Sequence, residues 1–493
     1  MPLNNLPLEL FAIAVILAAG AAVFCAVVRD LGHYARWERI AYCYPLGLAA
    51  LGTPMFLLSY FGVHLDVVVI TGIAIVSLVV VAATRRVSPR KFWQAGAVAR
   101  QPAQPFTEFE WLLFAIIVFS LGARTMASLL APLNDWDGVC VWGIKAKVLF
   151  YDTVKTSDYF YKPEYAFSHP NYPLLWPFMY AWVCTVLGNW DDLGMLILNP
   201  VNLIVFSALM YWTLRRYVTR TVALAVTAIM ASLPALVHYA ECGQADVTLM
   251  LMFGASLFCL FDWMNHRRRD SLWLSAFLMG GALFTKQEGQ IVFAALLCAG
   301  GVYVFVAQRS NWKPLLGQVV MFAVIAVIWA LPWLLFQRGI KDWSWDFSGV
   351  SLSAIRWNQI PKLVQVLFAN AVNWNNQVHL PKWNILWPIL AFCLLVNRSV
   401  WRCPWVCLLI VFVIHAIGIS CVFLASRWDI TLPALEIAME RFTFVMLTPL
   451  WLILAKCADD AWTIWKKPPA SEAAPVIGGA NRPSSPRAVA RGA

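Results

Sequence analysis

Long apolar stretches separated by short polar or basic segments recur from Leu8 to the neighbourhood of Lys456. A bilayer hydrocarbon core takes about 20 mostly apolar residues per helical span, and the stretches have that length rather than the short alternating pattern of strands. Spans are expected near residues 8–28, 40–61, 64–84, 109–130, 194–214, 221–240, 247–264, 271–286, 288–307, 315–336, 384–397, 405–426 and 442–457. The expected fold class is therefore all-α integral membrane, a polytopic bundle of about 13 transmembrane helices. The apolar piece Tyr172 to Leu187 is set apart. Its roughly 16 residues, its opening Tyr172-Pro173 and the internal Pro177 suit a juxtamembrane helix lying at the interface better than a span.

Charge orients the bundle. Basic residues cluster at Arg29/Arg36/Arg39, Arg85/Arg86/Arg90/Lys91/Arg100, Arg215/Arg216/Arg220, His266 to Arg269, Arg309/Lys313, Arg398/Arg402 and Lys466/Lys467. The positive-inside rule places all of them on the cytoplasmic side, with an external N-terminus. That threading holds only if Tyr172 to Leu187 does not cross, since a crossing would put Arg215 and Arg216 outside. The first apolar stretch lacks a preceding basic residue and a small-residue cleavage site, so it reads as a retained span. The expected organisation is three N-terminal spans and a basic loop over 1–107, a membrane region over 108–465 with external loops 131–192 and 337–383, and a disordered cytoplasmic tail over 466–493 rich in Pro, Ala, Gly, Ser and Arg.

Composition agrees: 61% of residues are hydrophobic, 13% charged, and the mean hydropathy is +0.68. The net charge of +11 does not imply a nucleic-acid partner, because the basic residues sit between apolar stretches rather than on one face. The twelve cysteines form no CxxC pair and no metal-ligand spacing. A disulfide framework is not expected, although Cys140 and Cys242 both fall on the external side.

Polar residues gather at that external side, and ionisable groups at span ends are costly unless they pair or serve a site. The first external loop opens Asn134-Asp135-Trp136-Asp137-Gly138 and continues through Trp142 and Lys145. A carboxylate in a partly dehydrated pocket can act as general base toward a hydroxyl. The alternative for Asp135 or Asp137 is capping of the helical run that follows. An Asp-x-Asp pair is also one pattern that holds a divalent cation, the one cofactor open to this chain.

These residues carry a resemblance. Asp135-Trp136-Asp137 with Trp142 and Lys145, followed by His169-Pro170-Asn171-Tyr172-Pro173-Leu174-Leu175, resembles the first periplasmic loop of polyprenyl-phosphate-sugar-dependent glycosyltransferases of the GT-C fold. The protein O-mannosyltransferase and lipid A aminoarabinose transferase families are examples. In them a loop carboxylate lies in the active site and a His-Pro-Pro-Leu-like motif opens a juxtamembrane helix. Here Asn171-Tyr172 is inserted into that motif. The likeness continues with Pro234, the polar turn His238 to Asp246, the Gly-rich helix Gly280-Gly281 ending in Thr285-Lys286-Gln287-Glu288-Gly289, and Glu440-Arg441-Phe442 through Pro449. It spans about Phe109 to Pro449 and leaves out the three leading helices.

The resemblance implies an inverting glycosyltransferase of a bacterial inner membrane, active at the periplasmic face. It would move a sugar from a polyprenyl-phosphate donor to a hydroxyl of a lipid, glycan or protein acceptor. Asp137, or else Asp135, is then the candidate base, and Lys286, Arg441 and Lys145 are candidate ligands of the donor phosphate. The alternative for Lys286 and Arg441 is snorkelling to the interface. Substrate contacts are expected from His169, Tyr172, Glu241, Asp246, Glu288 and His379. Against this, Glu288 can pair with Lys286, Asp246 can cap the helix beginning at Val247, and His169 can be structural. Trp343, Trp345, Trp357, Trp374 and Trp383, with Asn373, Asn375 and Asn376, suit sugar stacking or interfacial anchoring. A transporter or flippase for lipid-linked glycans, or an O-antigen ligase-like or polymerase-like enzyme, are the rival readings.

Overall fold

The computed structural model describes residues 5–85, 89–94, 104–133, 135–307, 310, 312–341, 352–372, 386–426 and 432–465. Among the described residues there is no strand. The chain runs through α1 (Leu6–Val27), α2 (Arg36–Tyr60), α3 (Val67–Arg85), the short α4 (Pro89–Trp93) and α5 (Glu108–Leu130). A π-helical turn (Asp137–Gly143) leads into α6 (Ile144–Tyr151), then come α7 (Leu175–Leu187), α8 (Leu198–Leu214), α9 (Arg220–Ala231) and α10 (Pro234–Tyr239). The second half is α11 (Asp246–His266), α12 (Arg269–Thr285), α13 (Gly289–Val302), α14 (Trp312–Gln337), α15 (Ile360–Val372), α16 (Leu386–Val396), α17 (Trp405–Ala425) and α18 (Leu432–Trp465).

Ten described helices are long and apolar enough to cross a bilayer. The remaining expected spans take shorter forms. Residues 221–240 divide into α9 and α10 because Pro234 holds Leu233 extended, 271–286 form the 17-residue α12, and 384–397 are represented by the 11-residue α16. Thirteen full-length spans are thus not what the described residues present, but the polytopic helical architecture is.

α11 is the centre of the bundle. Every residue from Asp246 to Met264 is buried, and α12, α8, α18 and α13 pack around it. At the periphery, α3 and α5 expose Val68, Val76, Val79, Trp111 and Phe119, an apolar outer surface that suits lipid rather than water. The N-terminal helices belong to the same bundle: α2 packs on α12, α8 and α7. α1 and α2 cross so closely that a Cβ on Gly20 would stand 1.6 Å from the Cys43 carbonyl oxygen, and one on Gly47 1.8 Å from that of Ile16.

α7 departs from the expected interfacial helix. Its 13 residues reach about 20 Å, too short to cross, yet no face is left to the interface: every side chain from Leu175 to Cys184 is buried. The sequence Leu-Trp-Pro-Phe-Met-Tyr-Ala-Trp-Val-Cys is apolar all round, so it needs cover on all sides. Trp182 donates to the Ala12 carbonyl at 3.2 Å, Tyr180 to Asn199 at 2.9 Å and Trp176 to the Gly243 carbonyl at 3.4 Å.

The basic end is held by buried charge. Asp262 near the end of α11 accepts from Ser271 at 2.6 Å, lies 3.1 Å from His33 and 3.0 Å from His266, and pairs with Arg216 at 3.4 Å. Arg216 also binds Glu38 of α2 at 2.6 Å. Glu38 and Asp262 are almost wholly buried, so removing their shared cation leaves Glu38 without an ion-pair partner among the described residues and Asp262 with only His33 and His266 against it. Breaking one side of such a pair costs about 3–5 kcal/mol. Arg216→Ala should therefore lower the thermal unfolding temperature in detergent by several degrees, whereas Arg215→Ala, whose side chain meets the Val218 carbonyl and Tyr211 but no carboxylate among the described residues, should change it much less. Equal melting of both variants would remove Arg216 as the cation that holds this end.

Candidate active site

The other end of α11 gathers most of the candidate site residues. Asp135 and Asp137 begin the π-helical turn, and the fold gives them different jobs. Asp135 Oδ2 accepts the Gly138 N–H at 2.9 Å and the Gln244 side-chain N–H at 2.7 Å, so it caps the turn and ties it to the 238–246 loop. The two segments touch through backbone: a Cβ on Gly138 would lie 2.1 Å from the Cys242 carbonyl oxygen. Cys140 and Cys242 remain free thiols. Asp137 instead faces inward, its Oδ2 2.5 Å from the Arg441 guanidinium, and its side chain keeps 29% exposure.

From Asp137 a line of alternating charges runs into the bundle. Arg441, in α18, also reaches both oxygens of Asp246, at 3.3 and 3.5 Å. Lys286, at the end of α12, binds Asp246 at 2.5 Å and Glu288 at 3.4 Å. Glu288 Oε1 in turn meets His415 Nε2 of α17 at 2.8 Å. Asp246 has no exposed side-chain surface, and Lys286, Glu288 and His415 are buried. The Lys286 ammonium also lies 5.1 Å from the Phe442 ring centroid. Ions this deep are kept only where each finds an opposite charge, and here each does.

Lys145 stands apart from that line. Its Nζ donates to the Val141 carbonyl at 2.8 Å and to the Ser168 carbonyl, and lies 5.6 Å from the ring centroids of both Trp142 and Tyr172. Burial pushes its ammonium well below the usual lysine range, and the nearby Asp137 carboxylate acts against that. His169 takes a left-handed conformation (φ 49°) and stacks on Tyr172 at 4.6 Å. The carbonyl of Asn171, between them, accepts from Gln337 at 2.9 Å and Gln287 at 3.4 Å. These contacts fasten the His169-to-Pro173 segment beside the turn that carries Lys286 and Glu288.

Of the other sequence candidates, Glu241 pairs with Arg124 of α5 at 2.9 Å on the same end, away from the buried line. His379 lies outside the described residues, as do Trp343, Trp345, Trp374, Trp383 and the three asparagines. Two residues to which the sequence reading gave no role take part, Gln244 and His415, and Arg124 is a third through its pair with Glu241. His415 did leave a signal, an ionisable side chain in the middle of an apolar 21-residue helix. Gln244 left none, since its partner is 109 positions away.

Asp135 and Asp137 do not join a third His, Cys, Asp or Glu in a metal-sized cluster. Among the described residues the one such group is His33, Asp262 and His266, at the opposite end of the bundle.

No curated protein and no solved structure matches the chain. Residues 169–336, which hold His169, Tyr172, Glu241, Asp246, Lys286 and Glu288, match the family model described as dolichyl-phosphate-mannose-protein mannosyltransferase, and this match indicates a glycosyltransferase of the GT-C type.

Proposed function

We propose that this protein is an inverting glycosyltransferase that moves a sugar from a polyprenyl phosphate to an acceptor hydroxyl at the membrane face bearing Asp137, Asp246, Lys286 and Arg441. The matched family's description names a lipid-phosphate mannose and a protein, which supports the donor class; a lipid or glycan acceptor suits the same site. Charge orientation supports the external, periplasmic face of a bacterial inner membrane. The observation that carries the reading is Arg441, one guanidinium bridging the half-exposed Asp137 and the buried Asp246, with Lys286 on the same Asp246.

The chemistry needs cations where the phosphate departs and a base where the hydroxyl attacks. Asp246 fixes Lys286 and Arg441 side by side, with Asp137 and Glu288 as their outer partners, so a lipid phosphate would reach the two cations by displacing Asp137 from Arg441 at the membrane surface. As the acceptor oxygen bonds to the anomeric carbon, the bond from that carbon to phosphate oxygen breaks and the phosphate leaves with the electron pair. The hydroxyl proton passes to Asp137 Oδ1. No hydrogen bond to Oδ1 is present among the described residues, whereas Oδ2 is bound by Arg441. A donor phosphate drawing on Arg441 would loosen its hold on Asp137 and free that carboxylate to turn toward the acceptor hydroxyl. Glu288, backed by His415, keeps Lys286 in place from behind.

Four variants test the assignment, each measured by transfer from a panel of polyprenyl-phosphate sugars. Asp137→Asn should keep fold and donor binding while turnover falls on the order of 10²–10⁴-fold. Asp135→Asn retains an oxygen for the Gly138 N–H and should stay within about tenfold of wild type. Near-normal turnover in well-folded Asp137→Asn would leave the loop without its base. Arg441→Gln should cost on the order of 10²–10³-fold in turnover, the size of a lost donor to a developing anion. Lys286→Met should do likewise, and a variant with weakened donor binding but unchanged turnover would place its cation in ground-state binding alone.

A further inference from the structure

At the basic end of the bundle, α1, α3, α12 and α14 enclose a cavity of about 630 Å³. Four arginines line it: Arg29 just after α1, Arg85 closing α3, and Arg268 and Arg269 opening α12. Arg268 is neutralised, by Asp270 at 2.8 Å and Asp30 at 3.2 Å. Arg85 donates to the Ala26 carbonyl, and among the described residues no carboxylate pairs with Arg29, Arg85 or Arg269. Three exposed guanidinium groups, none paired with a carboxylate among the described residues, therefore converge on one cavity whose one lining acid, Asp270, is held by Arg268.

Apart from Asp270 the rest of the lining is apolar, and its larger side chains lie further along the helices. Trp273 and Phe277 stand one and two turns into α12 from Arg269, and Met321 and Ile325 lie on α14. Both α3 and α14 are peripheral helices with apolar outer faces, so the cavity adjoins the lipid-facing surface of the bundle. The site is graded from charge at the helix ends to hydrocarbon two turns deeper, about 12 Å along the axis. An amphiphile with an anionic head has that profile.

We propose that this cavity binds an anionic phospholipid of the leaflet on the basic side. Its phosphate would sit among Arg29, Arg85 and Arg269, and an acyl chain would lie along Trp273, Phe277, Met321 and Ile325. Basic pockets between membrane helices are a recurrent means of holding such headgroups, and each guanidinium can give a phosphate oxygen charge-assisted hydrogen bonds. The site is separate from the candidate active site: Lys286 follows the far end of α12, roughly 25 Å along the helix from Arg269. The bound lipid would join the N-terminal helices to α12 and α14.

Native mass spectrometry of the full-length protein, released from micelles doped with dioleoylphosphatidylglycerol or dioleoylphosphatidylcholine, tests this. The wild type should retain one phosphatidylglycerol and no phosphatidylcholine. Arg29→Gln/Arg269→Gln should weaken retention about thirtyfold, given a factor of about five per basic side chain near an anionic surface. Arg398→Gln/Arg402→Gln, an equal charge change away from the cavity, should retain it as wild type does. Equal retention of both lipids, or equal loss in both double variants, would overturn the proposal. So would thermal stabilisation by millimolar inorganic phosphate that phosphatidylglycerol fails to compete with, since the site would then hold a soluble anion. None of these readouts depends on sugar transfer.

Discussion

A carboxylate with no solvent contact at the mouth of the central helix has to be neutralised by the protein itself, and Asp246 imposes that condition on the surrounding fold. Isolated ionised groups are expelled from low-dielectric surroundings, so Asp246 is tolerable only with cations held against it. Two arrive from distant parts of the chain, Lys286 from the end of α12 and Arg441 from α18. The requirement fixes the rotation of α18 about its axis and the height of α12, and it leaves Arg441 a free edge, which Asp137 fills. The π-helical turn, the 238–246 loop and three helix ends are thus positioned around one buried charge. Sixteen positions along α11, Asp262 imposes the same condition at the other end, answered by Arg216 with His33, His266 and Ser271. The central helix is pinned by an acid at each end, about 24 Å apart.

Such pairs are a weak route to stability, because apolar residues of similar volume often do as well or better. In the proposed reaction their worth at the Asp246 end would be pre-organisation: two cations held in place before a phosphate arrives would leave little reorganisation for the moment when charge develops. At the Asp262 end the pairs tie α2, α8, α11 and α12 together without facing a comparable half-exposed carboxylate. The same physical device thus stands at both ends, and what separates them is access: Asp137 and Arg441 keep part of their surface open, while Glu38 and Asp262 do not.

Hydropathy made most helices legible, because bilayer thickness leaves a long apolar signature. It was less informative for α9 and α10, where Pro234 breaks an apolar stretch, and for α7, whose burial depends on α1, α2 and α6 rather than on its own pattern. In the site, the convergence of Lys286 and Arg441 was legible as two cations at span ends on one face. The division of work between Asp135 and Asp137 was not, since a carboxylate two positions from another looks the same in one dimension. Only the partners distinguish them: Gln244 for one and Arg441 for the other. His415 carried a signal that a search of span ends passes over, because it lies inside α17.

The insertion in the His169-Pro170-Asn171-Tyr172-Pro173 motif is explained by where the segment sits. A left-handed residue at His169 turns the chain sharply, and histidine adopts that conformation more readily than branched residues do. The turn stacks Tyr172 on His169 and presents its ring to the Lys145 ammonium. It also aims the Asn171 carbonyl at Gln287 and Gln337. Gln287 lies between Lys286 and Glu288, so the added residues reach the backbone turn that sets the height of the Lys286 side chain. A shorter motif would have to hold that turn by other contacts. The departure from the His-Pro-Pro-Leu-like pattern thus falls where the segment before α7 meets the cation that Asp246 requires.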